Sequence, residues 1–267
     1  MRVAIPGCSG RMGRALVQAI AESDDLELCA ASEAPGSPAL GADAGTLAGL
    51  APLGVTVTAD PDRLLAGAEA VIDFTTPAAS LEMARRCADR GLPLVIGTTG
   101  LAAAERHALV AAAQRVPLVF AANMSVGVNV LLRLCAEAAR LLGPGYALEI
   151  VEAHHDRKTD APSGTALRLA EVLAQVTGGD LEERLRHGRH GAVGARRPGE
   201  IGIHAIRGGD IVGEHTVYLC TDGERLELTH RVSSRRTFTA GALRALRWVR
   251  SRSPGLYDME HVLGLKG

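Results

Sequence analysis

Short apolar runs alternate with helical patterns along the first half of the chain. Arg2–Pro6 and Leu26–Ala31 read as strands, as do Ala70–Phe74, Pro93–Ile96 and Pro117–Ala121. Between them, Arg11–Glu22 and the alanine-rich stretches Ala78–Asp89 and Ala102–Gln114 read as helices. Alternation of this kind predicts a parallel sheet with helices on both faces, the doubly wound nucleotide-binding plan. Ala34–Ala59, rich in Gly, Ala and Pro, reads as an irregular insertion with at most one short strand.

The second half has a different rhythm. Val128–Leu142 has helical periodicity, Ala147–Ala153 is a strand running into a polar cluster, and a helix spans about Gly164 to Val176. Three strand-like runs follow without helices between them: Ile201–Arg207, Glu214–Cys220 and Arg225–His230. Such a succession predicts an antiparallel or mixed sheet. Thr239–Arg250 is again a helix. The expected class is therefore α/β: a Rossmann-like domain followed by an α+β domain with a mixed sheet.

Composition narrows the function classes. The 267 residues suit one large or two modest domains, and 47% apolar with 22% charged residues is the balance of a globular chain. Aromatics make up only 3%, so the core must be built from Ala, Val, Leu and Ile. A formal net charge of −1 supplies no field drawing the chain to nucleic acid or an anionic membrane. No apolar stretch is long enough to span a bilayer, and the run before Gly7 is too short for a signal peptide. The five cysteines (Cys8, Cys29, Cys87, Cys135, Cys220) are scattered without a CxxC pair, so neither a zinc site nor a disulfide framework is expected. The expectation is a soluble, cytoplasmic protein with no metal, nucleic-acid or membrane partner.

Candidate chemistry lies in two places. Gly7-Cys8-Ser9-Gly10-Arg11-Met12-Gly13 is a glycine turn between a strand and a helix, with GxxGxxG spacing. Such a turn lets backbone amides approach a pyrophosphate at a helix N-terminus, although tight turns also use glycine for conformation alone. Glu33, at the end of the second strand, is placed to bind ribose hydroxyls, or is simply a solvated strand end. Gly97-Thr98-Thr99-Gly100 and Ala121-Ala122-Asn123-Met124 follow two more strands of the same sheet. They are placed to reach the cofactor, with ordinary helix capping as the competing reading.

The second place is Glu152-Ala153-His154-His155-Asp156-Arg157-Lys158-Thr159-Asp160-Ala161-Pro162-Ser163-Gly164-Thr165. Two histidines and a lysine can carry protons, and the helix start at Ser163–Thr165 can bind a carboxylate. Paired histidines can also bind a metal, but no third ligand stands at a recognisable spacing. Ser163 lacks a nucleophile elbow and reads better as a cap, and a wholly structural loop stays open. The basic stretch Arg184–Arg197 has no interleaved aromatics, so it reads as a mobile loop near an anionic substrate, not as a nucleic-acid surface.

With these blocks in view, the chain resembles the 4-hydroxy-tetrahydrodipicolinate reductase family. The likeness rests on the glycine turn, Gly97–Gly100, Asn123 to Asn129 and above all the His154–Ala166 block. Gly208–His215 and Ser233-Ser234-Arg235 add to it. The resemblance implies a nucleotide domain from residues 1–125 and 236–267, with a substrate-binding and tetramerisation domain at 126–235. It implies His154 as the main acid/base residue and Lys158 as proton donor. His155, Lys158, Gly164 and Thr165 would hold the carboxylates of a small dicarboxylate. Gly7, Cys8, Ser9, Gly10, Arg11, Met12, Glu33, Gly97, Thr98, Thr99, Ala121, Ala122, Asn123 and Met124 would contact NADH or NADPH. A basic residue often follows the acid of the second strand in this family; Ala34 stands here, which points to NADH in preference to NADPH. The residues alone leave two other readings: a different Rossmann oxidoreductase, or a protein that binds the nucleotide without turnover.

Overall fold

Several strands lack any polar residue to present to water. In the computed structural model, which describes residues 1–266, Val3–Ile5, Ala70–Ile72, Leu94–Ile96 and Val116, Leu118 and Val119 are buried. Strands buried on both faces need cover on both sides, which parallel strands joined by helices provide. The chain builds β1 (Arg2–Pro6), α1 (Arg11–Ala21), β2 (Glu27–Ser32), the short helices α2 (Ala44–Leu47) and α3 (Pro61–Leu65), and β3 (Ala70–Asp73). It continues through α4 (Pro77–Arg90), β4 (Leu94–Ile96), α5 (Ala103–Ala113) and β5 (Pro117–Phe120). All pairings are parallel, in the order β2-β1-β3-β4-β5. The sheet therefore grows in opposite directions on either side of β1 and β3, which creates a switch point at their carboxyl ends.

The chain divides into two compact units, residues 1–126 together with the segment from Arg236 onward, and Gly127–Arg235. After α6 (Val126–Leu142), the second unit holds β6 (Ala147–His154), α7 (Gly164–Thr177), α8 (Leu181–Arg184) and β7 (Leu185–His187). Next come β8 (Ile201–Arg207), β9 (Gly213–Thr221) and β10 (Glu224–Val232). Its five strands run in the order β10-β9-β6-β8-β7. The first three pair antiparallel and the last three parallel, so the sheet is mixed. Leu131 and Cys135 of α6 and Leu169 and Leu173 of α7 bury one face of it, against Leu148, Ile150, Ile201, Val217 and Leu219.

The C-terminal helix α9 (Arg236–Val249) packs Ala242, Leu243, Leu246 and Val249 into the same core as Val3, Ile5 and Leu16. β11 (Gly255–Tyr257) then pairs parallel with β5 as a sixth strand, and α10 (Met259–Val262) follows. Neither β11 nor α10 is long enough to show a period. The insertion is irregular as expected, with the helical turn α2 in addition and isolated bridges, Ser32 to Thr58 and Asp43 to Thr56. Asp43 organises it, accepting from the amides of Thr46 at 3.0 Å, Leu53 at 3.1 Å and Val55 at 3.1 Å.

The basic stretch is not a free loop. It begins at the end of α8 and in β7, and two of its guanidiniums converge on Glu149. Arg189 donates at 2.8 and 2.9 Å, Arg196 Nε at 2.9 Å, and His204 Nε2 lies 2.9 Å away. Burial pushes Glu149 up, yet these bonds outweigh it and hold the carboxyl at about 2. Arg189 and Arg196 are thus paired inside the unit, while residues 188–200 carry no helix or strand. Among the described residues, no helix is long and apolar enough to cross a membrane, and no group of three His, Cys, Asp or Glu is arranged to hold a metal ion.

Candidate active site

In the first unit, the candidate residues collect at the carboxyl ends of β1, β2, β4 and β5. Gly7 has φ +66°, a left-handed conformation suited to glycine, and a Cβ there would meet Thr75 Cγ2 at 2.8 Å. A Cβ on Gly13 would fall on the Gly7 carbonyl and the Cys8 backbone, so this glycine lets α1 pack against the turn. Gly10, the N-cap of α1, makes no side-chain capping bond. The first amides of an eleven-residue helix are thereby left without a side-chain cap, an arrangement suited to an anion.

Glu33 leans back onto this turn, and its Oε1 accepts from the Ser9 amide at 2.7 Å. Arg14 Nε donates to the Ser9 carbonyl at 2.7 Å. Arg11 and Ala34 are both exposed. Burial, reinforced by Glu33, pushes the Cys8 thiol up to about 11, so it stays a neutral thiol lining the turn.

The turns after β4 and β5 contribute chiefly backbone. Thr98 is buried, and its hydroxyl sits 2.7 Å from Ser80 Oγ, so its side chain points into the unit. Thr99 is exposed. Asn123 Oδ1 accepts from the Ser125 amide at 2.9 Å, while the Met124 side chain belongs to the core. Beneath them lies Asp73, which the sequence reading did not single out. It is fully buried, accepting from Thr75 N at 2.8 Å and Thr75 Oγ1 at 2.6 Å. Burial raises its pKa.

The second unit builds its cluster from β6. Residues two apart on a strand share a face, so Glu152 and His154 point the same way. Glu152 is fully buried between β8 and β9. Its Oε2 lies 2.6 Å from His154 Nδ1, Arg207 donates to its two oxygens at 2.8 and 2.7 Å, and the Ser163 amide donates at 3.0 Å. Burial works to raise this carboxyl, but the bonds from His154 and Arg207 prevail and hold it at about 2.

Ser163 caps α7, its Oγ accepting from Ala166 N at 3.1 Å and lying 2.9 Å from His215 Nε2. Burial, with His154 close by, pushes His215 down to about 4. The His154 and His215 rings meet edge to face, with centroids 5.2 Å apart. Gly164 and Thr165 form the first turn of α7. Lys158 turns toward Asp160, with both carboxylate oxygens at 2.8 Å, and this bond holds Asp160 below the usual carboxylate range. His155 keeps a buried Nδ1 without a partner among the described residues.

The structure thus gathers His154, Lys158, Gly164 and Thr165 around the β6 end and the start of α7. Glu152, Arg207 and His215 join them, and the sequence reading gave these no role. The signal available for Glu152 was its spacing from His154. For His215 it was membership of the Gly208–His215 block.

A parallel sheet with a glycine turn at its switch point, in a chain whose second unit carries an acid–histidine pair, defines a Rossmann-type oxidoreductase. Family models sharpen this: dihydrodipicolinate reductase, N-terminus, matches residues 1–124, and dihydrodipicolinate reductase, C-terminus, matches residues 127–263. The chain belongs to the dihydrodipicolinate reductase family. A 4-hydroxy-tetrahydrodipicolinate reductase of Thiobacillus denitrificans is 54% identical over 266 residues, covering 100% of this chain and 99% of the relative. One from Anaeromyxobacter dehalogenans is 51% identical, covering 100% and 98%. Among solved structures, the dipicolinate-bound dihydrodipicolinate reductase from Paenisporosarcina sp. TG-14 aligns with a TM-score of 0.77 at 27% identity, covering 97% of each chain.

Proposed function

We propose that this chain reduces 4-hydroxy-tetrahydrodipicolinate to tetrahydrodipicolinate, with loss of water, on the route to diaminopimelate and lysine. The observation that carries this reading is the pairing of buried Glu152 with His154 at the head of the loop that leads to the capped start of α7. That arrangement suits proton transfer to a ring whose carboxylates are held beside it. The full-length relatives of the same family and the bound dipicolinate of the solved relative support the choice of substrate.

In this mechanism the first unit holds a nicotinamide dinucleotide. The uncapped amides at Arg11 and Met12 would hold its pyrophosphate, Glu33 its adenosine ribose, and the Gly97–Thr99 and Ala121–Met124 backbone its nicotinamide end. Bound there, NADH or NADPH would supply the hydride. The second unit holds the substrate: His155, Lys158, Gly164 and Thr165 bind its carboxylates. After water leaves the hydroxylated ring, one proton delivered by His154, with Lys158 as a second donor, would balance the single negative charge that the hydride brings. The reading includes NADH as the preferred cofactor, a cytoplasmic location and a homotetramer assembled through the second unit. Exposed Leu134, Leu141, Ile206 and Leu226 of that unit offer apolar surface for such an assembly.

The test is direct. Purified protein is given NADH and the freshly made condensation product of pyruvate and aspartate semialdehyde, and loss of NADH absorbance is followed. Oxidation dependent on both substrates supports the reading. Nucleotide binding without oxidation overturns it and marks a binding protein.

A further inference from the structure

We propose that Glu152 is a positioning residue for the reaction: its carboxylate accepts a hydrogen bond from the Nδ1–H of His154, leaving Nε2 to exchange a proton with substrate, and anchors the Ser163 turn that opens α7 to the same point. This rests on the reading given under Proposed function.

The tautomer follows from chemistry. An ionised carboxylate can only accept, so the 2.6 Å contact with His154 Nδ1 requires the hydrogen to sit on that nitrogen. This holds whether the ring is neutral or charged. Any proton His154 gives or takes therefore passes through Nε2. A histidine whose second nitrogen is tied to a carboxylate is oriented as well as protonated in one sense.

Three observations support this independently. Arg207 grips both Glu152 oxygens from β8, at 2.8 and 2.7 Å, which keeps the buried carboxyl ionised and unable to donate back. Gly213, on β9, leaves room at the working nitrogen, since a Cβ there would stand 3.1 Å from His154 Nε2. His215, the other ring against His154, is held neutral by burial and sets no second positive charge beside it.

The same carboxylate has a second duty. The Ser163 amide donates to Oε1 at 3.0 Å, and Arg207 also donates to the Asp160 carbonyl at 2.8 Å. The loop carrying Lys158 and the helix start at Gly164 are thus tied to the charge that orients His154. A bond network serving only the fold would be completed by Arg207 and Ser163; the bond to His154 adds nothing to the anchoring of the loop.

The experiment uses the full-length protein labelled with 15N and the double variant Glu152→Gln/Arg207→Gln, which removes the buried charges together so that neither is stranded. Long-range 1H–15N spectra report the tautomer of the neutral His154 ring. The parent should carry hydrogen on Nδ1. The variant, whose amide can offer an N–H, should show the Nε2–H form. Its kcat should fall ~10–100-fold, the usual cost of losing a residue that orients a histidine, and inhibition by pyridine-2,6-dicarboxylate should weaken as well, because the Ser163 turn loses its anchor.

A folded variant that keeps the parent's tautomer, or its kcat, overturns the proposal. Should the double variant not fold, Gly213→Ala tests the same geometry: it should lower kcat while the Nδ1–H tautomer persists, and undiminished turnover counts against the role of Nε2. The ring spectra need no turnover. If the parent fails to oxidise NADH with this substrate, the functional reading falls, and the spectra still decide whether Glu152 sets the tautomer.

Discussion

Cofactor choice turns on the surroundings of Glu33. Its Oε1 is held by the Ser9 amide at 2.7 Å, so the carboxylate is fixed beside the glycine turn and cannot swing away without breaking that bond. NADPH would place a phosphate of about −1.5 charge against it. At ~5 Å and an effective dielectric of roughly 50, the repulsion is about 2 kcal/mol, or roughly 30-fold in relative kcat/KM. Ala34 offers no cation in return. Arg11 is exposed at the first position of α1 and makes no ion pair among the described residues, so it is the cation of the glycine turn able to swing toward the phosphate. The expectation is a preference for NADH with NADPH still used. Ala34→Arg should return about 1 kcal/mol, roughly fivefold, toward NADPH. Arg11→Ala should reduce NADPH turnover more than NADH turnover. Initial rates over a range of each cofactor, at fixed substrate, give the ratios. An NADPH preference in the unmodified protein would refute the reasoning, because it would mean that Glu33 does not govern the ribose site.

Three other outcomes are expected. His154→Gln should lower kcat by about two to four orders of magnitude with NADH affinity nearly unchanged, measured by steady-state kinetics and by fluorescence titration; near-normal turnover removes it from the mechanism. Lys158→Ala should weaken inhibition by pyridine-2,6-dicarboxylate by about 1.5–3 kcal/mol, the usual value of a charge-assisted hydrogen bond, and equal inhibition of variant and parent shows that Lys158 is not a carboxylate ligand. The second unit should lose stability in acid. Glu149 and Glu152 are both held at about 2 from an ordinary 4.5, so each contributes about 3 kcal/mol that is present above pH 4.5 and lost as the pH falls toward 2. Denaturant midpoints across that window should show the slope, and Glu149→Gln should flatten it; an unchanged slope would sever the link to Glu149.

The first unit was largely legible because its signals are local. Strands β1, β3, β4 and β5 are runs in which every position but Arg2 and Phe120 is buried, and helices with one apolar face separate them. Spacing therefore reports element type directly. What the pattern left out is short or held by contacts from afar. β11 is three residues long and becomes a strand by pairing with β5, more than a hundred positions earlier in the chain. The α2 turn depends on one carboxylate, Asp43, reaching amides up to twelve residues on. The partners of the basic stretch are hidden for a related reason: Arg189 and Arg196 meet Glu149, 40 and 47 positions away.

The site divides along the same line. Glycines at a strand–helix turn and a dense His-His-Lys block are contiguous, so their residues could be named from the sequence. The partners that give them direction are not contiguous. Period-two spacing places Glu152 on the face of His154, yet an acid on a strand is ordinarily solvated, and nothing in the spacing says that β8 and β9 flank β6 and bury it. Arg207 comes from 55 residues on, and the His215 that meets Ser163 lies 52 residues beyond it. A buried carboxylate is tolerable only with such partners in place. The ionised state of Glu152, and with it the tautomer of His154, is therefore a property of the assembled sheet, while the histidine itself is a property of the motif.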